Sequence, residues 1–205
     1  MLRSRIWAFW VAWLLTAPAV AAEFRPLPSL PEAYLGHALV ASSGFLYNIG
    51  GLGGVNGVAT AQRVFYAPLQ DQGGLGSWMQ GPSLPEGVFF HAAAAVEGTL
   101  LVLGGYHYRD SLVVSNGVYA SHLGADGRPG AWQAVAPLPE PAFFLSAGAW
   151  NGRVYVTGGW NGQSLTSSVY SSHVNPDGTL EAWRRERSLP QGVYTHAAVA
   201  QGTLY

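Results

Sequence analysis

Three glycine doublets, Gly50-Gly51, Gly104-Gly105 and Gly158-Gly159, stand 54 residues apart. Other marks keep the same beat. Leu-Pro recurs at Leu30-Pro31, Leu84-Pro85, Leu138-Pro139 and Leu189-Pro190, at spacings of 54, 54 and 51. Trp78, Trp132 and Trp183 each precede the next Leu-Pro by six residues, and an aromatic position recurs at Phe65-Tyr66, Val118-Tyr119 and Val169-Tyr170. Such a period constrains the fold more than any local motif. It calls for one supersecondary unit, copied and stacked, because a unit of this size cannot bury its apolar face alone.

Within the unit the order is fixed. After Leu-Pro comes a run of small apolar residues: His37 to Ser42, His91 to Val96, Ser146 to Trp150 and His196 to Ala200. By propensity alone, His91 to Val96, with its four alanines, would read as helix. The aligned Leu39-Val40 and Ala147-Gly148 overrule that, and the segment is predicted as an innermost strand where space is short. Phe45 to Ile49, Leu100 to Leu103 and Val154 to Thr157 are apolar runs read as second strands covered on both faces. The doublet then permits a bend or a close approach that a Cβ would block. Third strands follow near Val64-Tyr66, Val118-Tyr119 and Val169-Tyr170. Turns carrying Asp71-Gln72-Gly73-Gly74, Asp126-Gly127 and Pro176-Asp177-Gly178 lead to the Trp strand. Its indole should fill the outer gap between units and find an acceptor for its N–H.

A small-residue strand, an apolar strand ending in Gly-Gly, a strand with Tyr and a strand with Trp together resemble the kelch repeat, over Phe24 to Tyr205. The resemblance implies an all-β fold: a kelch-type β-propeller of four-stranded antiparallel blades. The expected propeller is incomplete, about three blades plus two partial ones, with repeats near 30–83, 84–137, 138–188 and a truncated 189–205. Phe24, six residues before Leu30, is expected to belong to the last strand of a blade, and the sequence is expected to be a fragment of a longer protein.

Residues 1–22 read as a secretory signal: Arg3 and Arg5, an apolar run from Ile6 to Leu15, Pro18, and small residues at Ala19 to Ala22. The competing reading is an uncleaved anchor. The expected localisation is exported, periplasmic or at the cell surface, with 23–205 as the propeller domain. After residue 22 no apolar stretch reaches the ~18–20 residues of a spanning helix. The remaining chain has eight arginines, no lysine and eleven acidic residues, a net charge of −3. That offers no electrostatic footprint for nucleic acid. Cysteine is absent, so disulfides and thiolate metal sites are impossible.

Several chemistries can be weighed. His37, His91 and His196 share one repeat position, where the third repeat has Leu145. Metal ligands must lie within about 2.0–2.2 Å of one ion, whereas equivalent positions on successive blades diverge, so these histidines read as structural. No metal or cofactor is expected. Gly50 to Gly54 lacks the spacing, helix and Lys of a phosphate loop, and the Asp-Gly turns lack the carboxylates of a calcium loop. A copper radical oxidase of the galactose oxidase kind shares the architecture but needs a Tyr–Cys crosslink, which this sequence cannot make.

In kelch propellers two loop sets build one face of the ring. By resemblance the first set is Glu32 to Gly36, Glu86 to Phe90, Glu140 to Phe144 and Gln191 to Thr195, and the second is Leu52 to Val58, Tyr106 to Asp110 and Trp160 to Gln163. They supply the candidate ligand-binding residues: Tyr34, Asn56, Phe89, Phe90, Tyr106, His107, Tyr108, Arg109, Phe143, Phe144, Trp160, Asn161 and Tyr194. Tyr106 to Arg109 is not repeated, and aromatics beside an arginine suit stacking and bidentate hydrogen bonding. The same aromatics could instead pack between blades. No catalytic residue stands out. Two functions follow: a binding or scaffold module for a protein or sugar, or an enzyme resembling the kelch sialic acid mutarotases. The second needs an acid/base residue in the channel. Glu32, Glu86, Glu140 and Arg109 are its candidates, and the periodicity of the three Glu favours a structural role.

If residues 1–22 are removed on export, N-terminal sequencing of the secreted protein should start near Glu23. Recovery of an intact Met1 from the membrane fraction would instead make the segment an anchor.

Overall fold

The computed structural model describes residues 26–53, 61–108, 111–194, 199–200 and 203–204. Phe24, the signal segment and His196 lie outside them. The described chain forms three successive antiparallel sheets, one per repeat. The first runs Ala38–Ser42, Phe45–Ile49, Val64–Gln70, with Met79–Gln80 and Gly74–Leu75 both against the third strand. The second runs Ala92–Val96, Thr99–Leu103, Val118–Leu123, Pro129–Ala134. The third runs Ser146–Trp150, Arg153–Thr157, Val169–His173, Arg184–Arg185. A fourth repeat begins with the antiparallel pair Val199–Ala200 and Thr203–Leu204. The alanine run is therefore a strand, as the repeat requires: in each sheet this small-residue strand is the edge.

The sheets are packed face to face, and the second strand shows why its residues are all apolar. Leu100 and Val102 join Tyr47, Ile49 and Val64 of the first blade in one core. Leu101 and Leu103, on the opposite face of the same strand, join Val154 and Val156 of the third blade in another. A strand's side chains alternate between faces, so a strand between two neighbours needs apolar residues at every position. Leu84 and Leu138, from the Leu-Pro marks, are buried at the same two junctions.

The doublets are the joints between blades. Both glycines of each doublet have positive φ, +60 and +89 in the first, +62 and +93 in the second, +60 and +99 in the third. This turns the second N–H outward. Gly51 N donates to Val88 O at 2.8 Å, Gly105 N to Ala142 O at 2.8 Å, and Gly159 N to Val193 O at 2.9 Å, each acceptor lying in the next repeat. There is no room for side chains. A Cβ on Gly104 would stand 2.5 Å from Ala142 O, and one on Gly105 2.7 Å from the Cβ of His91. The tryptophans make a second tie at the outer rim. Trp78, Trp132 and Trp183 donate through Nε1 to the carbonyls of Pro28, Pro82 and Ala136, each two residues ahead of a Leu-Pro. The expected indole partner is thus a backbone carbonyl about fifty residues earlier.

Two details differ from the sequence expectation. Phe65, not Tyr66, is the equivalent of Tyr119 and Tyr170, because Val64, Val118 and Val169 all pair with the last residue of their second strands. The fourth strand is also short in two blades, two residues in each of the first and third, and Trp78 and Trp183 precede it.

Gly105→Ala should lower the unfolding free energy by about 2–4 kcal/mol, from the left-handed backbone cost and the clash together. Gly98→Ala is a matched control, since Gly98 has φ +79 with open space around it; it should cost only about 1–2 kcal/mol. Chemical denaturation of both variants checks this, and equal losses would show that the tight joint adds nothing.

Candidate ligand-binding face

In each repeat the segment leading into the inner strand pairs with the segment after the doublet. Tyr34–Leu35 pairs with Leu52–Gly53. Val88–Phe89 pairs with Tyr106–Tyr108, which also pairs with Leu112–Val114. Phe143 bridges Trp160, and Trp160 bridges Leu165. The two loop sets thus lie together, held by backbone hydrogen bonds, because the doublet folds the chain back over its own blade.

The structure divides the candidate aromatics into two groups. Phe89 and Phe143 are buried, and Tyr106 lies between them, its ring centroid 5.7 Å from Phe89 and 4.1 Å from Phe143. These three pack between blades. Phe90 is half-buried, Phe144 is 37% exposed and Tyr194 57% exposed. Their rings follow one another, Phe90 to Phe144 at 4.5 Å and Phe144 to Tyr194 at 5.5 Å and 90°. Adjacent rings touch, Phe89 with Phe90 at 5.3 Å and Phe143 with Phe144 at 4.8 Å, yet the second of each pair, on left-handed backbone, is the less buried.

Phe90 and Phe144 each have φ +53. Gly36, the equivalent residue of the first repeat, has φ +68. Phe90 N donates to Gly36 O at 2.7 Å and Phe144 N to Phe90 O at 2.9 Å, linking the three positions across blades. The backbone here suits glycine, and a bulky residue in it carries strain on the order of 1–3 kcal/mol.

The three periodic glutamates are engaged. Glu86 Oε2 lies 2.5 Å from His107 Nδ1 and accepts from the Tyr119 hydroxyl at 3.1 Å. Glu140 Oε1 accepts from Tyr170 at 3.2 Å and from Thr166 at 3.3 Å. In the first blade Phe65 has no hydroxyl, and Glu32 instead pairs with Arg63 and accepts from Tyr34 at 2.7 Å. Burial, then that bond to Glu32, push the Tyr34 hydroxyl up to about 12. The Glu–Tyr pairing could have been read from sequence, since both residues are periodic; the extra His107 could not. A pocket of about 280 Å³ beside the Glu86–His107 pair is bordered by Ser115, Asn116 and Tyr119.

The remaining candidates scatter. Trp160 and Asn161 are half-buried, and Asn161 Oδ1 accepts the backbone N–H groups of Gln163 and Ser164 at 3.0 and 2.9 Å. That side chain is used in shaping its own loop. Tyr108 ends a strand. Asn56 and Arg109 lie outside the described residues.

Below the rim the inner strands of the three blades surround a recess of about 490 Å³, lined by Ala38, Ala92, Ala147, Ser146, His37 and His91. The two histidines share a repeat position but not an environment. His37 is exposed, whereas His91 is 7% exposed. A Cβ on Gly50 of the preceding blade would meet the His91 ring at 2.9 Å, and one on Gly104 would meet Leu145 at 3.3 Å. His91 and Leu145 are thus interchangeable plugs beneath successive joints. Burial, with lesser effects from His37 and His107, pushes the His91 imidazole down to about 3, so it is neutral. The Ile49 carbonyl favours the charged form slightly, but neither ring nitrogen has a hydrogen-bond partner among the described residues. No group of three or more metal-ligating side chains occurs among the described residues.

Radial four-stranded sheets joined by glycine doublets, with paired loops on one face, define a propeller blade array. Comparison with known proteins agrees. The kelch motif model matches residues 141–171. Kelch-like protein 33 of Homo sapiens is 35% identical over 131 residues, 62% of this chain and 23% of that protein. Kelch-like protein terF of Aspergillus terreus is 28% identical over 169 residues, 78% of this chain and 34% of its own length. The chain therefore spans about a quarter to a third of the relatives it matches. Among solved structures, YjhT superposes with a TM-score of 0.60 at 17% identity, over 76% of this chain and 47% of that one. The chain thus carries kelch repeats in a β-propeller fold.

His91 carries a pH prediction. Its folded value lies below the unfolded one, so below about pH 6.5 the unfolded chain binds a proton that the folded chain refuses. The stabilisation is complete above that pH and is lost as pH falls towards 3, at about 1.4 kcal/mol per pH unit. His91→Leu, which copies Leu145, should remove this slope. Between pH 6 and 4 the wild type should lose about 2–3 kcal/mol more than the variant in urea unfolding; parallel curves would contradict the buried neutral imidazole.

Proposed function

We propose that this chain is an exported binding or scaffold propeller that holds a protein or carbohydrate ligand on the face built by its paired loops. The carrying observation is the run of half-buried Phe90 and exposed Phe144 and Tyr194, two of whose members keep an aromatic side chain on backbone where φ is +53. Backbone strain kept at rim aromatics supports a ligand-binding role. Export is supported by the tripartite pattern of residues 1–22. Among the described residues no helix is long and apolar enough to cross a membrane.

A second reading is a sugar isomerase resembling the sialic acid mutarotases. Its specific support is the Glu86–His107 pair beside a pocket, since a carboxylate on Nδ1 orients an imidazole. NMR of anomer exchange separates the two: acceleration by wild type that disappears in His107→Gln favours the enzyme.

For the binding reading, Phe144→Gly is the informative variant. It should keep or slightly raise stability, because glycine relieves the left-handed backbone, while lowering retention of ligands from glycan and peptide arrays at least tenfold. Unchanged retention, or a stability loss above about 2 kcal/mol, would assign the ring to packing.

A further inference from the structure

Each blade carries the same periodic glutamate, but the residue set against it differs. The first amides of the doublets, Gly50 N, Gly104 N and Gly158 N, donate to the carbonyls of Arg63, Gly117 and Ser168 at 2.9, 2.9 and 3.1 Å. Those three residues are therefore equivalent, each immediately ahead of its third strand. In the first blade the Arg63 side chain pairs with Glu32. In the third, Thr166 and Tyr170 donate to Glu140, and the cavity bordered by Glu140 and Ser168 measures about 10 Å³, room for at most one water. In the second, position 117 has no side chain, and the pocket of about 280 Å³ lies there, bordered by Gly117 and Glu86.

An arginine at position 117 would project into that pocket. A Cβ on Gly117 would stand 3.6 Å from the His107 ring and 3.8 Å from the Tyr119 ring, and both rings border the pocket with Glu86. The Glu86 side chain is 30% exposed, and Val113 and Asn116 on the border are exposed, so the pocket opens to solvent. A carboxylate offers about four lone-pair sites. Glu32 shows that capacity in the same fold, since one of its oxygens accepts from both the Tyr34 hydroxyl and Arg63. Glu86 can thus receive a guanidinium beside the contacts it already makes with His107 and Tyr119. A guanidinium suits the place better than an ammonium: its planar fork matches a carboxylate, and its face stacks on an aromatic ring. The apolar stem of an arginine can lie along Val113.

We infer that the pocket beside Glu86 is a socket for an arginine side chain of a partner protein, filled from outside where the first blade uses its own Arg63. This rests on the binding reading above and narrows its ligand to a protein that presents an arginine.

The test is titration of the full chain with N-acetyl-arginine amide, its lysine analogue and its neutral citrulline analogue, followed by NMR amide shifts in about 50 and about 500 mM NaCl. The arginine amide should bind saturably, with shifts centred on Ser115 to Gly117, and at least threefold more weakly at the higher salt. The lysine analogue should bind at least threefold more weakly than the arginine amide, and the citrulline analogue at least tenfold. Glu86→Gln should weaken the arginine amide at least tenfold. Gly117→Arg should abolish its binding with an unchanged or raised melting temperature, because the new side chain copies Arg63 and the Gly117 backbone lies outside the left-handed region. If that variant fails to fold, Glu86→Gln decides alone. Equal binding of the arginine and citrulline analogues, or arginine binding indifferent to Glu86→Gln, would overturn the inference. So would the absence of saturable arginine binding. If array ligands are still lost on Phe144→Gly in that last case, only the arginine socket fails and the binding reading stands.

Discussion

The bond from the second glycine of each doublet to the next repeat holds the rest of the structure in place. Two consecutive residues in the left-handed region reverse the chain at the end of the second strand. The N–H so exposed reaches Val88, Ala142 or Val193 in the neighbouring repeat. No other residue fits, for reasons of both dihedral angle and space. Once the joint is fixed, the second strand of the middle blade lies between two sheets, and its Leu100 to Leu103 are apolar on both faces. The tryptophans then close the outer rim by the same kind of contact, a donor of one strand to the backbone carbonyl preceding its repeat.

The candidate site is a consequence of that joint. The reversal brings the loop after the doublet against the loop leading into the inner strand, so one face receives both. Where the loop leading into the inner strand passes from blade to blade, its backbone is again left-handed, at 36, 90 and 144. The first of these is glycine; the other two are phenylalanine and project over the recess. Inner-strand alanines keep that recess open where the blades converge. The buried joints and the strained rim follow one geometry but opposite demands: small residues where blades meet, large ones where a ligand would be met.

Much of this was legible in the chain. The doublets, Leu-Pro steps and tryptophans gave the blades, and the repeat correctly overrode the helical look of Ala92 to Ala95. What could not be read were facts of single-residue register and of distant contact. Phe89 and Phe90 are chemically equal in sequence, yet one is buried and the other half-buried, because the strand ends at Phe89 and the backbone turns left-handed at Phe90. Phe65 and Tyr66 are both aromatic, so only strand pairing shows which one matches Tyr119. His37 and His91 look equivalent, but the plug role of His91 depends on Gly50, forty-one positions away in the preceding blade. The Trp acceptors were anticipated in kind but not in identity, because they lie about fifty residues back.

Amide hydrogen exchange at Gly51, Gly105 and Gly159 tests the central claim most directly. If these three N–H groups join successive blades, they should exchange as slowly as the amides of Thr99–Leu103, although each sits in a loop. Exchange at the rate of an open loop, with the strands still protected, would show that the doublets merely turn the chain and that the blades are held together by something else.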